Sequence, residues 1–431
     1  MAFGFLIVYV LVLLVRPQEW YEPVRGFELV NVAAILTIFA AFINPSPDQR
    51  LTGTVWRNKH GRLMWGLLLG VVLSQLVYGR VHGAVDAFSE FGKCCVLLFM
   101  TMTLVDNPKR LRRMMWVIVI SAAIFCIHGA MQIKTGYGFA NVEPFGSFFN
   151  GDFRVQGTGM FQDPNDFAML YVVAIPFVFT FLQTHTMILA KFFVAASFPA
   201  MLYVLYYTQS RGGVVGLGAM SLAYVWFSMR TAILRLLVIS AVLGVVVAFG
   251  PARARESVYE GSAGGRIMQW GYGNQFLKQN PLFGIGYGRW LDYSDQVAHN
   301  SFVTCYGELG LFGYSFWFSL LWLVLRSVYK IVRLEPLDRG TRRLAIGLFA
   351  ALAGFYASAF FLTRTYNPFL YLMLGLGIGL IRYVGRQPYC PAGYLDITNR
   401  DIGQSVLMAV ASIPAIWIFV RLYWAAGGGG A

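Results

Sequence analysis

Long apolar stretches recur along this chain, near 2–15, 27–43, 62–79, 84–105, 114–131, 167–183, 188–208, 213–228, 232–250, 300–325, 343–363 and 366–381. One more runs over 403–424. Most approach the ~20 residues that a helix needs to cross a bilayer. A backbone in lipid must pair its own polar groups, so these stretches predict helices and not open strands. The short alternating segments of a β-barrel do not occur. The pattern predicts an all-α polytopic membrane protein of twelve transmembrane helices, or thirteen if the last run spans. The opening run, Phe3 to Val15, has no basic lead and no small-residue cleavage site, and reads as a retained helix, not a signal peptide.

Polar segments between the runs set the orientation. With a cytoplasmic N-terminus, the inward loops hold Lys109, Arg110, Arg112 and Arg113, then Arg326, Lys330, Arg333, Arg339, Arg342 and Arg343, while the short outward loops hold few cations. Cytoplasmic loops carry such an excess. Two long loops, 132–166 and 251–299, then face outward, and long loops in compact proteins are often functional. The second contains an expected amphipathic helix, Arg266 to Gln279, and the glycine-rich turn Asn280 to Gly288. The chain thus divides into N-terminal helices (1–131), a first outer loop (132–166), central helices (167–250), a second outer loop (251–299) and C-terminal helices (300–431).

Composition agrees: 57% of the residues are hydrophobic and 13% charged. The net charge of +14 would suggest nucleic acid in a soluble protein. Here much of it belongs to inward loops, so no nucleic-acid partner is expected and membrane lipids are. Cys94, Cys95, Cys126, Cys305 and Cys390 lack metal-site spacing. Four lie in or beside apolar runs, as small buried hydrophobes do, and neither a disulfide nor a metal is inferred.

Chemistry has few carriers. His60 and His185 fall in inward loops and are expected to be solvated, His82 lies in an outer turn, and His128 reads as a satisfied core residue. His299 differs, because it ends the second long loop and precedes a helix, in His299-Asn300-Ser301-Phe302. The positive end of that helix disfavours its protonation, which leaves an imidazole available as a base; equally, His299 simply caps the helix. Arg211, Arg266 and Arg364 lie on the same side. Each either snorkels to lipid headgroups or clamps an anion through its planar guanidinium fork. Arg154 and Asn165 of the first loop, Asn300 and Glu308 are further candidates. Asp86, Glu90 and Lys93 share one helix face and read as a self-neutralising cluster. No acidic pair for a sugar-nucleotide metal, HExxH site, phosphate-binding Walker loop or Gly-x-Ser-x-Gly elbow occurs, which argues against metalloprotease, ATPase and serine hydrolase.

Four stretches together resemble the O-antigen ligase and polymerase superfamily of bacterial envelope enzymes. They are Gly159 to Ala168 with its Pro164-Asn165 pair, Ser210-Arg211-Gly212, Arg266 with Asn280 to Gly286, and His299-Asn300 followed by Glu308 to Gly313. Their order and spacing match across about 159–381. Arg16-Pro17-Gln18-Glu19-Trp20 also resembles a subgroup of O-glycosylation ligases found near exosortase systems. The resemblance implies a C-type glycosyltransferase-like fold with periplasmic loops in the bacterial inner membrane. It implies a metal- and cofactor-independent inverting transfer of a glycan from undecaprenyl pyrophosphate to the lipid A–core oligosaccharide. By motif, His299 resembles the catalytic histidine, and Arg211 and Arg266 the arginines at the donor pyrophosphate. Polymerase, protein O-glycosylation ligase and lipid-linked glycan transporter are the alternatives.

Overall fold

The computed structural model describes residues 1–43, 55–184, 187–229 and 263–425, with isolated positions between 231 and 240. The expected helix 232–250 and His185 lie outside the described residues. Within them the chain forms α1 (Ala2–Val15), α2 (Leu29–Ile43), α3 (Lys59–Leu76), α4 (Val81–Leu104), α5 (Pro108–Thr135), α6 (Pro164–Thr184) and α7 (Ile188–Tyr207). There follow α8 (Arg211–Ser228), α9 (Ala263–Gln279), α10 (Ser301–Arg333), α11 (Arg339–Ala359), α12 (Pro368–Gly385) and α13 (Asn399–Ala425). Among the described residues eight helices are long and apolar enough to cross a membrane: α1 with its short extension, α4, α5, α6, α7, α10, α12 and α13. This is a multi-pass helical architecture, and the last apolar run belongs to it.

Local chemistry sets the helix starts. Asn107, Ser210, Asn300, Asp338 and Asn367 each accept a first-turn N–H through a side-chain oxygen, which satisfies donors that have no partner inside the helix. Helices α6 and α12 are the most enclosed; α11 packs on α6 and α8, and α12 on α4. The α8–α11 contact is close because it is made by small residues: a methyl on Gly354 would stand 3.1 Å from the Gly216 carbonyl. Helix α13 lies along α10 on three polar rungs. They are Tyr314 Oη to Ser412 Oγ at 2.7 Å, Ser405 Oγ to Ser319 Oγ at 2.8 Å, and an Arg326–Asp401 ion pair.

The structure departs from the sequence pattern in four places. First, α10 is longer than the expected 300–325 and is interrupted at Gly310. Leu311–Arg333 alone covers about 35 Å at 1.5 Å per residue, enough to span, so Ser301–Leu309 forms a separate segment. Second, residues 145–154 form a hairpin, β1 (Phe145–Ser147) with β2 (Asp152–Arg154), paired Phe145 to Arg154. Its turn contains Asn150-Gly151, with Gly151 at φ 73°, the dipeptide that favours tight hairpins. Third, His60 is buried, 2% exposed, and not solvated. Asn58 folds over it as N-cap of α3, accepting from the His60 N–H at 2.8 Å, and Trp56 stacks on Trp65 at 5.0 Å. Fourth, α9 buries a mixed face, Gln269 and Gly273 beside Ile267, Trp270 and Phe276, so its polar and apolar residues are not segregated.

The break in α10 exposes backbone groups that lipid cannot satisfy, and the glycine-rich turn satisfies them. Leu311 N–H donates to Pro281 O at 2.8 Å and Phe312 N–H to Leu282 O at 3.1 Å; Ile285 and Gly286 donate to Gly307 O and Glu308 O at 3.0 Å. The C-terminal end of α3 and the turn after it grip the same segment. Gln75 Nε2 donates to Tyr287 O at 2.7 Å, the Tyr287 N–H to Ser74 Oγ at 3.0 Å, and Tyr78 Oη to Gly284 O at 2.6 Å. Gly310 has φ 60° and ψ −167°, a region open essentially to glycine alone, and a Cβ there would stand 2.4 Å from the Leu282 carbonyl. Gly310→Ala is therefore expected to lower stability by at least ~1–3 kcal/mol of backbone strain. Gly92→Ala, with nothing within 4 Å of the added methyl, should leave thermal unfolding in detergent unchanged. Equal melting of both variants with wild type would refute the stitched-break reading.

Candidate functional site

The first long loop is held by the end of α5. His128 is fully buried; its Nδ1 accepts the Phe139 N–H and its Nε2 lies on the Gln156 carbonyl, both at 2.9 Å. A ring nitrogen that accepts an N–H leaves the other to carry the proton, so His128 is a neutral staple, the satisfied core residue that the sequence suggested. Gln132 adds two bonds, to Val142 O at 3.1 Å and from the Gln156 N–H at 3.0 Å. The opening motif packs here as well: Trp20 stacks on Phe139 at 4.7 Å, and the Arg16 side chain lies against Gly159.

So fixed, the hairpin delivers Arg154 to the helix ends. Arg154 is 8% exposed. Its Nε donates to Thr208 O at 2.9 Å and its Nη2 to Asn165 Oδ1 at 3.2 Å. Thr208 ends the α7 turn, and Ser210 caps α8, in which Arg211 is the first residue. The next residue after Asn165 is Asp166, 2% exposed and ion-paired with Arg364 through both carboxylate oxygens. The Arg364 N–H donates to Ser301 Oγ at 2.8 Å, Ser301 Oγ donates to Leu362 O at 2.6 Å, and Thr365 Oγ1 donates to Ser301 O at 2.8 Å. Ser301 follows His299-Asn300. A bonded path thus runs from His299 through Arg364, Asp166, Asn165 and Arg154 to the turn that bears Arg211.

His299 sits in a constrained backbone, at φ 48°, where histidine is tolerated better than most side chains. Both neighbours are fixed. Trp270 Nε1 donates to Ala298 O at 3.0 Å, and Asn300 Oδ1 accepts from the Phe302 and Val303 N–H groups at 2.9 and 3.2 Å. Asn300 is fully buried, and its Nδ2 has no hydrogen-bond partner among the described residues. Arg266 lies four residues before Trp270, one turn away on the same face of α9, the helix whose Trp270 fixes Ala298.

Glu308 stands apart from this path. Its carboxylate accepts the Gly288 and Trp290 N–H groups at 3.1 and 3.0 Å, so it orients the turn against α10. Burial, with Cys94 and Glu308 nearby, holds the Tyr287 hydroxyl well above the usual phenol range. Burial and the Glu308 carboxylate do the same to Tyr366, so both phenols remain donors. On α4, Lys93 pairs with Glu90 at 2.7 Å, as the charge pattern suggested. All five cysteines are free thiols, and among the described residues no three His, Cys, Asp or Glu side chains are grouped to hold a metal.

Asp166, Ser301 and Thr365 are not among the candidates that the sequence singles out. A carboxylate entering an apolar run requires a cation, and that signal was available for Asp166. The hydroxyl contacts leave no trace in the sequence.

Fold and site together describe a multi-pass membrane protein that concentrates arginines, one constrained histidine and capped helix starts at one end of its bundle. Residues 196–318 match the family model described as O-antigen ligase, which supports the O-antigen ligase superfamily for this chain. The matched stretch contains Arg211, Arg266, His299, Asn300 and Glu308, and leaves Arg154, Asn165 and Arg364 outside. No curated protein matches the chain.

Proposed function

We propose that the chain is an O-antigen ligase of the bacterial inner membrane, with its N-terminus in the cytoplasm and its site in the periplasm. In this reading it has twelve or thirteen spans in a C-type glycosyltransferase-like fold, divided at the boundaries given above. It moves a glycan en bloc from undecaprenyl pyrophosphate to the lipid A–core oligosaccharide, without metal or cofactor. The observation that carries the reading is the bonded path from His299 to the Arg211 turn, because it assembles a base and fixed cations from four separate stretches.

His299 takes the proton of an acceptor hydroxyl as its oxygen attacks the anomeric carbon. The bond from that carbon to the pyrophosphate oxygen breaks, and the electron pair leaves with the pyrophosphate. Arg211 and Arg266 stabilise the departing charge. Attack opposite the leaving group inverts the anomeric configuration. The Asn300 amide is a buried donor next to the base and suits an oxygen of either substrate. Arg154 and Arg364 are positioning residues, since their guanidinium groups already hold Thr208, Asn165 and Asp166. The packing of Arg16–Trp20 on the first loop favours, as a second reading, the protein O-glycosylation subgroup that shares this motif.

The test is incubation of detergent-purified protein with an undecaprenyl-pyrophosphate glycan, rough lipopolysaccharide and chelator. A glycan-bearing lipopolysaccharide band is expected. Elongated lipid-linked chains in its place would identify a polymerase, glycosylated protein would support the second reading, and folded protein that forms no product would overturn the transferase.

A further inference from the structure

Between α9 and the segment that follows the glycine-rich turn lies an open cleft of about 620 Å³, lined by Gly265, Met268, Gln269 and Tyr272 on one side and Leu291 to Gln296 on the other. The four α9 positions recur at helical spacing and form one face. The volume falls within the ~300–1,000 Å³ of small-ligand sites. The opposite wall runs directly to Ala298 and His299, and Trp270, one residue beyond Gln269, fixes Ala298. The cleft wall therefore leads to the proposed base, and none of the network residues Arg154, Asn165, Asp166 and Arg364 lines it.

Its lining has a distinctive chemistry. Tyr272 and Tyr293 offer ring faces, and Tyr293 is 52% exposed. Asp292, Ser294, Asp295 and Gln296 offer oxygen acceptors and short polar groups. Gln269 is 2% exposed and its Oε1 is occupied by Trp290 Nε1 and Ser294 Oγ, at 3.3 and 2.8 Å, so its amide NH₂ is what it can offer. Aromatic faces beside carboxylate and amide groups suit a saccharide, whose rings carry C–H faces and rims of hydroxyl donors. Among the described residues no Lys or Arg side chain lines the cleft. Asp292 is ion-paired with Arg289, whereas Asp295 has no ion pair among the described residues. A phosphorylated sugar placed here would meet the Asp295 carboxylate, with no Lys or Arg among the described wall residues to offset it.

We propose that this cleft is the acceptor subsite and that it takes the phosphate-free part of a saccharide acceptor. This rests on the glycosyltransferase reading and adds to it the acceptor's place and charge. The two substrates are then told apart by sign: the pyrophosphate donor by arginines, the acceptor by tyrosines and a carboxylate that disfavours anions.

The experiment uses core oligosaccharide released from rough lipopolysaccharide, in native phosphorylated and in dephosphorylated form, each carrying a diazirine. Both are irradiated with the full-length protein in detergent, and the labelled peptides are mapped. The dephosphorylated probe is expected to label 263–279 and 291–297, and the phosphorylated probe to do so roughly tenfold less, a difference of ~1.4 kcal/mol. Tyr272→Ala should weaken the labelling about tenfold, as loss of an aromatic anchor does. Asp295→Lys should shift the preference toward the phosphorylated probe. Labelling elsewhere, labelling of the cleft by neither probe, or equal labelling by both would overturn the proposal. Arg211→Ala separates the two readings, since it should abolish transfer and leave cleft labelling intact. Cleft labelling in a wild type that transfers no glycan would remove the ligase reading and leave the saccharide site standing.

Discussion

Replacement of His299 should lower glycan transfer by ~10²–10⁴-fold, the usual contribution of a general base, while the protein remains folded. The choice of replacement matters because the residue sits at φ 48°. Alanine adopts that region reluctantly, whereas asparagine tolerates it and keeps a polar side chain. Asparagine has no basic nitrogen at neutral pH. His299→Asn thus removes the base with little added strain, and His299→Ala reports base and strain together. Comparable loss in both, with unchanged thermal unfolding, would assign the effect to proton transfer. Full activity of His299→Asn would eliminate His299 as the base and reduce it to a helix-start residue.

The second large effect is expected at the Asp166–Arg364 pair. The Asp166 side chain is 3% exposed and that of Arg364 23%. Removing one partner leaves an uncompensated buried charge, which costs about 3–5 kcal/mol. Arg364→Met should therefore lower the unfolding midpoint in detergent steeply, and Asp166→Leu should do likewise. The double variant removes both charges and should recover most of the stability, because a buried pair replaced by apolar residues is often near neutral. It should not recover transfer, since the guanidinium–carboxylate link between the 362–365 turn and the start of α6, where Asp166 adjoins Asn165, is gone. Arg364→Lys keeps the charge and loses the two-pronged geometry, so it should retain more stability than Arg364→Met. Additive losses in the double variant would contradict a direct pair.

The apolar runs made most of the helices legible, with ends displaced by a few residues where polar caps extend them. Pro108, which opens α5, and Asn300, which caps α10, are the kinds of residue that mark such ends. What the runs concealed were interruptions and long-range partners. Gly310 reads as one more small residue in an apolar helix, and only the apposed turn 281–286 makes its conformation necessary. Asp166 and Arg364 are 198 positions apart, and no local pattern marks such a pair. His60 was misplaced because a charged neighbourhood implies water, whereas the start of α3 buries it and Asn58 bonds both its N–H and its ring. The site was legible as separate motifs. Their assembly was not, because it depends on a hairpin and on hydroxyl contacts that only the folded chain brings together. His128 shows the reverse: its apolar setting indicated a satisfied core residue, and both ring nitrogens have partners.

The segment 291–297 is fastened at both ends. Trp290 gives its backbone N–H to Glu308, and Ala298 gives its carbonyl to Trp270. Between these anchors the chain is largely exposed and makes few bonds to the frame. Such an interval behaves like an exchangeable cassette. Substitutions inside it are expected to spare the stitched break in α10 and the arginine network, whose bonds lie outside the interval. On the proposed acceptor assignment, a change of acceptor would need only seven adjacent codons and would leave His299 untouched.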